Sequence, residues 1–341
     1  DVSDLTNLTD LDCGFGNLTS LDLTNVVNLE NLDFRTNLIE NLNVSDLINL
    51  KYLNCSSNNL ISLDVSNLIN LTGLDCGTNE LNSIDLFNLS NLEYLSLVNN
   101  NLSLIDFSSL NNLKSLEIGN NDLTTIDISN LSQLSLFNIE NNNLVNINLE
   151  NNILLSNFNC SDNQLIEVDV SKLVNLFDFR CVNNINLEYI NCKNGLTYNN
   201  FYTLNNLPNI KYVCVDEEEY GDIYWKLYYY SGATDFEVNS YCSFTPGGTF
   251  YEISGNTKLD SDINGCDFSD INYSNLNFSI TDGTNSGSLI ANQTGNYFIP
   301  VSAGNHTITP NLENPTYFNV SPANFTVEFP TQVSPFTQDF C

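Results

Sequence analysis

The sequence predicts a solenoid built on a parallel β-sheet, followed by an all-β sandwich. Three observations carry this. Leu8, Leu29, Leu50, Leu71, Leu92, Leu113, Leu134, Leu155 and Leu176 recur at a constant interval of 21 residues, the kind of strict period that stacked repeats produce. Each period opens on alternating apolar residues, as in Leu50, Leu53 and Cys55, which reads as a short strand with one apolar face. From Ser243 onward leucine thins out, the period ends, and short alternating runs separated by Gly, Asn and Pro take over, as in an antiparallel sandwich.

The repeat comes first in the chain. One copy cannot bury its apolar face alone, so neighbours stack over a shared core. Parallel strands would rise ~4.8 Å per coil, and eleven coils would extend on the order of 50 Å. The pattern is L-x-x-L-x-(C/L/F/I)-x-x-N-x-L-x-x-L-D, seen in Leu50, Leu53, Cys55, Asn58, Leu60, Leu63, Asp64 and again in Leu113, Leu116, Ile118, Asn121, Leu123, Ile126, Asp127. Over residues 1–216 it resembles the leucine-rich repeat family. That resemblance implies that the ninth-place Asn37, Asn58, Asn79, Asn100, Asn121, Asn142, Asn163 and Asn184 form a structural ladder. A short amide can bond buried turn backbone in every coil. Gly16 at this place suggests a looser first coil. A second ladder, Asp22, Asp64, Asp85, Asp106, Asp127 and Asp169 with Asn43 and Asn148, suits backbone capping of a turn. Asn can replace Asp there because a cap needs an oxygen and no charge. The chain opens inside a repeat, since Asp1–Asn7 match the tail Asp64–Asn70, and an open solenoid end is costly in apolar surface, so a preceding N-terminal portion is expected.

Net charge is −32 with only nine Lys and Arg. Nucleic-acid backbone binding is excluded, because phosphate contacts need a basic patch, and an anionic membrane surface would repel the chain. No apolar run is long enough to span a bilayer. Cys13, Cys55, Cys76, Cys160, Cys181 and Cys192 take the inward sixth place of a coil, the last in a further coil Leu187–Cys192, and read as buried small hydrophobes. Cys214 occupies an outward place in an eleventh coil, Ile210–Val215. With Cys242, Cys266 and Cys341 it allows three disulfide connectivities; the expected one is Cys214–Cys242 with Cys266–Cys341.

A cap follows over 217–242. Asp216 can N-cap a helix with Glu219 completing a capping-box arrangement, and Ile223, Leu227, Trp225 and Tyr228–Tyr230 would close the solenoid end. A sugar-stacking role for those aromatics is the alternative. The sandwich over 243–341 has expected strands at Thr249–Ser254, Leu276–Thr281, Tyr297–Val301, His306–Thr309 and Asn324–Phe329. Its one chemically distinctive segment is Asp260-x-Asp262-x-Asn264-Gly265, which matches the first half of a calcium loop. Ile271 stands where the twelfth-place Glu is expected, so Asp267 or Asp270 would complete the shell. The simpler reading is a metal-free Asp/Asn turn. If Ca²⁺ binds, it stiffens the domain.

This segment resembles the loops of bacterial surface B-type (Ig-like) and carboxypeptidase-regulatory-like domains. With the acidic Asn-rich repeats, the inward cysteines and Pro246-Gly247-Gly248-Thr249-Phe250, the whole resembles secreted surface proteins of flavobacteria. That resemblance implies export by the type IX route to the cell surface or medium, and association with outer-membrane proteins.

No serine elbow, Cys–His pair, phosphate loop or zinc spacing occurs. The single histidine, His306, reads as a surface residue of a strand. The chain therefore reads as a non-enzyme. Its working surface is expected on the concave face, where outward places of the strands carry acids, amides, two tyrosines and two arginines. Tyr with adaptable amides suits recognition of a protein or glycan. Arg35, Tyr52, Asp75, Tyr94 and Glu117 are the expected ligand-binding residues. The competing reading is a structural segment of a large surface adhesin with no small ligand of its own.

Overall fold

The computed structural model of the chain describes residues 2, 4–196, 201–243, 249–262 and 264–341. The Pro246-Gly247-Gly248 motif, Asp1 and Ser3 lie outside them. The chain forms two compact units. The first comprises Asp1–Ile166, Lys172–Asn186 and Asn199–Leu207; the second comprises Glu167–Ser171, Leu187–Tyr198 and Pro208–Cys341.

Thirteen three-residue strands mark the repeats: β1 (Asp10–Asp12), β2 (Asn31–Asp33), β3 (Tyr52–Asn54), β4 (Gly73–Asp75), β5 (Tyr94–Ser96), β6 (Ser115–Glu117), β7 (Leu136–Asn138), β8 (Asn157–Asn159), β9 (Glu167–Asp169), β10 (Asp178–Arg180), β11 (Tyr189–Asn191), β12 (Phe201–Thr203) and β13 (Tyr212–Cys214). In the first unit ten of them make one parallel sheet, ordered β1 to β8, then β10 and β12. The central residue of each strand points inward. Leu53, Leu74 and Leu116 are fully buried in this interior, each adding about 1.5–3 kcal/mol over an exposed position. Phe137, Phe158 and Phe179 replace leucine there and stack ring on ring, with centroids 5.7 Å apart at each step.

The ninth-place amides form the expected ladder. Asn79 Nδ2 donates to the carbonyls of Cys55 and Cys76, both at 3.1 Å, and its Oδ1 accepts the Leu60 N–H at 2.9 Å. Each amide thus joins its own coil to the preceding one. The first coil lacks this link, and its Leu11 and Cys13 are only partly covered. The second ladder also caps turns: Asp64 Oδ1 accepts the N–H and hydroxyl of Ser66, and Asn43 and Asn148 accept the N–H two residues on in the same manner. Bonds to Ser66 hold the Asp64 carboxyl below the usual carboxylate range. Inward Cys55, Cys76, Cys160 and Cys181 are buried and take no part in a disulfide.

The residue before the ninth place adopts a left-handed conformation in coil after coil, from Phe15 before Gly16 (φ 56°) through Thr36, Ser57 and Thr78 (φ 55° each) to Asn99, Asn120 and Asn141 before ladder Asn residues. Asn adopts this region at less cost than a β-branched residue such as Thr36 or Thr78. Thr78 also accepts a bond from Asn99 Nδ2, a link that Asn120 supplies equally well to Asn141. Thr78→Asn is therefore expected to stabilise the chain by about 0.5–1 kcal/mol. The urea midpoint reads this out, and an unchanged or lowered midpoint would show that the backbone there is unstrained.

The second unit holds a four-stranded parallel sheet, β9, β11, β13 and then β14 (Glu237–Asn239). The segments read as tenth and eleventh coils are thus not extensions of the long sheet. After β8 the chain alternates between two sheets, because Leu187 follows Leu176 by half a period, so that β11 pairs with β9 and β13 and never with β10. Cys214 is buried instead of outward-facing, lies among Tyr189, Tyr212 and Phe250, and is bonded to Cys242 as expected, with 5.9 Å between Cα atoms.

Asp216 does not cap the helix. Its carboxylate accepts the Gly195 N–H at 2.8 Å, and a 3₁₀ turn at Glu217–Glu219 leads into α1 (Tyr220–Tyr230). Ile223 and Leu227 bury as expected, but Trp225 and Tyr228–Tyr230 are all more than half exposed. They cannot be the closing surface, because an eleven-residue helix packs one narrow stripe inward.

The all-β segment contains β15 (Tyr251–Asn256), β16 (Lys258–Leu259), β17 (Ile271–Asn272), β18 (Asn277–Thr281), β19 (Ser286–Ile290), β20 (Asn296–Val301), β21 (Gly304–Asn311), β22 (Phe325–Phe329) and β23 (Phe336–Thr337). Sheets β20-β15-β23 and β19-β18-β21-β22 share one core that includes Ile253, Ile299, Phe278, Ile308, Val327 and Phe340. Strand β19 is not evident in the sequence because Ser-Gly-Ser has little strand character. Gly287 is required there, since a Cβ would lie 2.6 Å from the Tyr241 nitrogen. His306 is fully buried, not on the surface. Its Nε2 donates to the Ser302 carbonyl at 2.9 Å, so Nδ1 accepts the Tyr241 hydroxyl at 2.6 Å, and burial holds it below the usual imidazole range.

Candidate functional site

Because the middle residue of each strand points inward, the two flanking residues point outward, and the parallel register lines them up across the sheet. One outward row runs Asn31, Tyr52, Gly73, Tyr94, Ser115; the next runs Asp33, Asn54, Asp75, Ser96, Glu117. Four of the five expected ligand-binding residues, Tyr52, Asp75, Tyr94 and Glu117, therefore sit on adjacent strands β3 to β6. Arg35 stands two residues beyond β2, bonded to Asp33 at 3.1 Å, with its guanidinium 5.0 Å from the Phe15 ring centroid.

The four are electrostatically linked. Burial, Asp75 and Glu117 push the Tyr94 phenol up to about 12. Burial, Asp75 and Asp33 raise Tyr52. Burial and then Asp75 raise Glu117. Asp75 also has a structural task that the sequence did not suggest: its Oδ1 caps the turn by accepting the Gly77 N–H at 2.9 Å. Asn54, Asn138 and Asn159 do the same in their coils, so the turn needs the oxygen and not the charge.

Gly73 is the residue that sequence reasoning missed. A Cβ at this position would lie 2.7 Å from Cδ2 and 3.1 Å from Cε2 of Tyr52, so the phenol leans over it. The signal was present, since Gly73 is the single glycine in a row otherwise made of Asp, Asn, Ser, Leu and aromatic residues. Farther along the same face, Arg180 pairs with Asp178 through Nε (3.1 Å) and Nη2 (2.8 Å), beside a shallow recess of about 170 Å³ lined by Glu117, Leu136, Asn138, Asn157 and Asn159. Phe177 and Phe201 meet edge to face with centroids 5.1 Å apart, and both are at least half exposed. The strand pattern alone did not mark them.

In the second unit, carboxylate oxygens of Asp260, Asp262 and Asp270 lie within 4.8 Å of one another. Asp260 accepts the N–H groups of Asn264 (3.2 Å) and Gly265 (2.9 Å), and the Asn264 amide donates to Asp262 at 2.9 Å. Asp270 Oδ2 accepts the Asp267 N–H. Asp267 stands apart from the three, with its Oδ1 bonded to the N–H and hydroxyl of Ser269; these bonds lower its pKa. The loop is tied down by Cys266–Cys341, with 5.7 Å between Cα atoms. Among the described residues no helix is long and apolar enough to cross a membrane.

No protein-family model and no curated protein matches the chain. Among solved structures it is similar to the functional domain of InlJ from Listeria monocytogenes, described as including a cysteine ladder, at TM-score 0.54 and 24% identity over 91% of this chain and 79% of that one. It also matches an internalin, InlF, from the same organism (TM-score 0.46, 24% identity, 62% and 75% of the two chains) and a leucine-rich repeat protein of Leptospira interrogans (0.44, 20%, 63% and 74%). The likeness to the first establishes the fold: a leucine-rich repeat solenoid with a parallel sheet and few helices.

Proposed function

We propose that the chain is a secreted or cell-surface adhesion protein that binds a protein or glycan on the outward face of its ten-stranded sheet. The observation that carries this is the cluster of Tyr52, Asp75, Tyr94 and Glu117, built in register on four adjacent strands. Rigid strands hold such side chains in place before a partner arrives, which lowers the ordering cost of binding. The disulfides Cys214–Cys242 and Cys266–Cys341 support export, since such bonds persist in oxidising compartments. Type IX export and outer-membrane partners belong to this reading, as does division into a solenoid (1–216), a cap (217–242) and an Ig-like sandwich (243–341). The test is capture of surface proteins and glycans by the full chain. Tyr52→Ala with Tyr94→Ala is expected to weaken the captured interaction by about tenfold or more while leaving the urea melt unchanged; undiminished capture would refute the site.

A structural role in a larger surface assembly is the second reading. It is favoured by the exposed aromatics of α1, where Trp225 stacks on Tyr229 with centroids 5.7 Å apart. In that case Trp225→Ala, and not the tyrosine pair of the sheet, would abolish partner capture.

We further assign Asp260, Asp262 and Asp270 as candidate ligands of a structural Ca²⁺, because three carboxylates in one loop offer hard oxygen donors. Asn264 and Asp267 buttress the loop in this assignment. Excess Ca²⁺ is expected to raise the melting temperature of the full chain, and Asp262→Ala to abolish that rise. Equal responses of the two proteins would dismiss the ion.

A further inference from the structure

We propose that the patch formed by Tyr52, Gly73, Asp75, Tyr94 and Glu117 on adjacent strands is an anchor for a positively charged side chain, arginine or lysine, carried by a protein partner. This rests on the reading of the sheet face as a binding surface and names what that surface takes. The outward arginines are already satisfied within the strip, Arg35 by Asp33 and Arg180 by Asp178. Between them, among the described residues, no Lys or Arg pairs with Asp75 or Glu117. Two part-buried carboxylates are thus left in one outward row, on β4 and β6 with Ser96 between them, each opposing ionisation of its surroundings: Asp75 raises Glu117, and both raise Tyr94. A cation seated between them would remove that mutual repulsion, and partial burial limits screening by salt.

The aromatic part fits the same occupant. Phenol faces attract a guanidinium or ammonium group, and Gly73 leaves the space over which the Tyr52 ring lies. The strip already shows this chemistry once, where Arg35 rests over Phe15. A neutral glycan could use the phenols and amides but would leave Asp75 and Glu117 uncompensated. At larger range, a net charge of −32 steers basic partners toward the chain and repels acidic ones.

The experiment uses the full chain and a labelled Gly/Ser peptide carrying three arginines, with a matched peptide carrying citrulline, which keeps the shape and loses the charge. Binding is measured by fluorescence polarisation at physiological ionic strength. The patch variant is Asp75→Asn with Glu117→Gln. Asn keeps the acceptor for the Gly77 N–H, as Asn54 does in its own coil, so folding is preserved and is checked by urea melt. Exposed Glu80→Gln with Asp122→Asn removes the same charge elsewhere. The expected result is about tenfold weaker arginine-peptide binding for the patch variant only, with little binding of the citrulline peptide. Equal loss in both variants would reduce the effect to a general acidic field and overturn the proposal. So would a neutral oligosaccharide that binds wild type and patch variant alike while the arginine peptide does not. If a natural partner is lost with Tyr52→Ala and Tyr94→Ala but kept by the patch variant, the cation anchor fails and the binding face stands.

Discussion

Asn100→Ala is expected to destabilise the chain by about 3–5 kcal/mol. Asn100 Nδ2 donates to the carbonyls of Cys76 and Leu97, both at 3.1 Å, and Oδ1 accepts the Leu81 N–H at 3.0 Å. All of these groups lie in a dry interior where Leu81, Leu97 and Cys76 are fully buried. Alanine leaves the Leu81 N–H without a partner, removes one of the two amide donors from each of the Cys76 and Leu97 carbonyls, which keep Asn79 and Asn121, and opens a cavity too small and too apolar to hold water well. A buried unpaired backbone group costs about 1–3 kcal/mol, so the loss exceeds that of any single Asp cap on the surface ladder. The link also joins two coils, and in a stacked repeat the interface between neighbours carries much of the stability. Urea unfolding measures the effect. Asn101→Ala, one residue on and exposed, is expected to change stability by less than about 0.5 kcal/mol. Similar small effects at both positions would mean that the amide ladder is not what holds successive coils together.

Glu237→Gln is expected to stabilise the chain increasingly as pH rises. Burial, and then Asp235, push the Glu237 carboxyl up to about 8. It lies on β14, and its charge is felt by the buried Tyr212 phenol and the half-buried Tyr220 phenol. A folded pKa above the unfolded one means that the fold prefers the neutral acid. The stability it contributes is complete below about pH 4.5 and is lost as pH rises through about 8. Glutamine keeps the neutral shape and does not titrate. The variant should therefore match wild type near pH 4 and exceed it by about 2 kcal/mol above pH 8, a figure reduced for the partial exposure of the carboxyl. Urea midpoints of both proteins at pH 4, 6 and 8.5 check this. His306, whose pKa is lowered by burial, works in the opposite sense, losing stability as pH falls below about 6.5. It contributes equally to both proteins and cancels in the difference. A constant offset between the two proteins across the range would show that Glu237 is solvated and ionised throughout.

Much of the solenoid was legible because its cause is local and repeated. Leu53, Leu74 and Leu116 had to share an interior once they recurred at one spacing, and Asn79 and Asp64 had to serve backbone once the same amide and acid came round in each turn. The binding face was legible to the same extent. Strand alternation placed Tyr52, Asp75, Tyr94 and Glu117 outward, and period placed them side by side. What it did not reveal was the role of Gly73, because a missing side chain acts only through the neighbour that fills the space. The capping task of Asp75 was also hidden, because it depends on how the strand exits into its turn.

Where the repeat ends, local rules stop deciding. Leu187–Cys192 has the form of another coil, yet strand pairing depends on which sheet edge it reaches, and a half-period step sends it to β9 and β13. Asp216 has the form of a helix cap, yet the Gly195 N–H takes up its carboxylate. Trp225 and the tyrosines of α1 look apolar enough to bury, yet only one stripe of so short a helix can. His306 looks like a polar residue on an exposed strand face, yet Tyr241 and Ser302 give its two nitrogens partners in the interior. The sequence alone determined the period, the inward and outward faces, and the excess of negative charge, because each follows from covalent spacing and residue type. Only the tertiary structure decided which sheet a strand joined, which oxygen met which N–H, and which carboxylates were left without a cation, because those outcomes depend on competition among groups far apart in the chain.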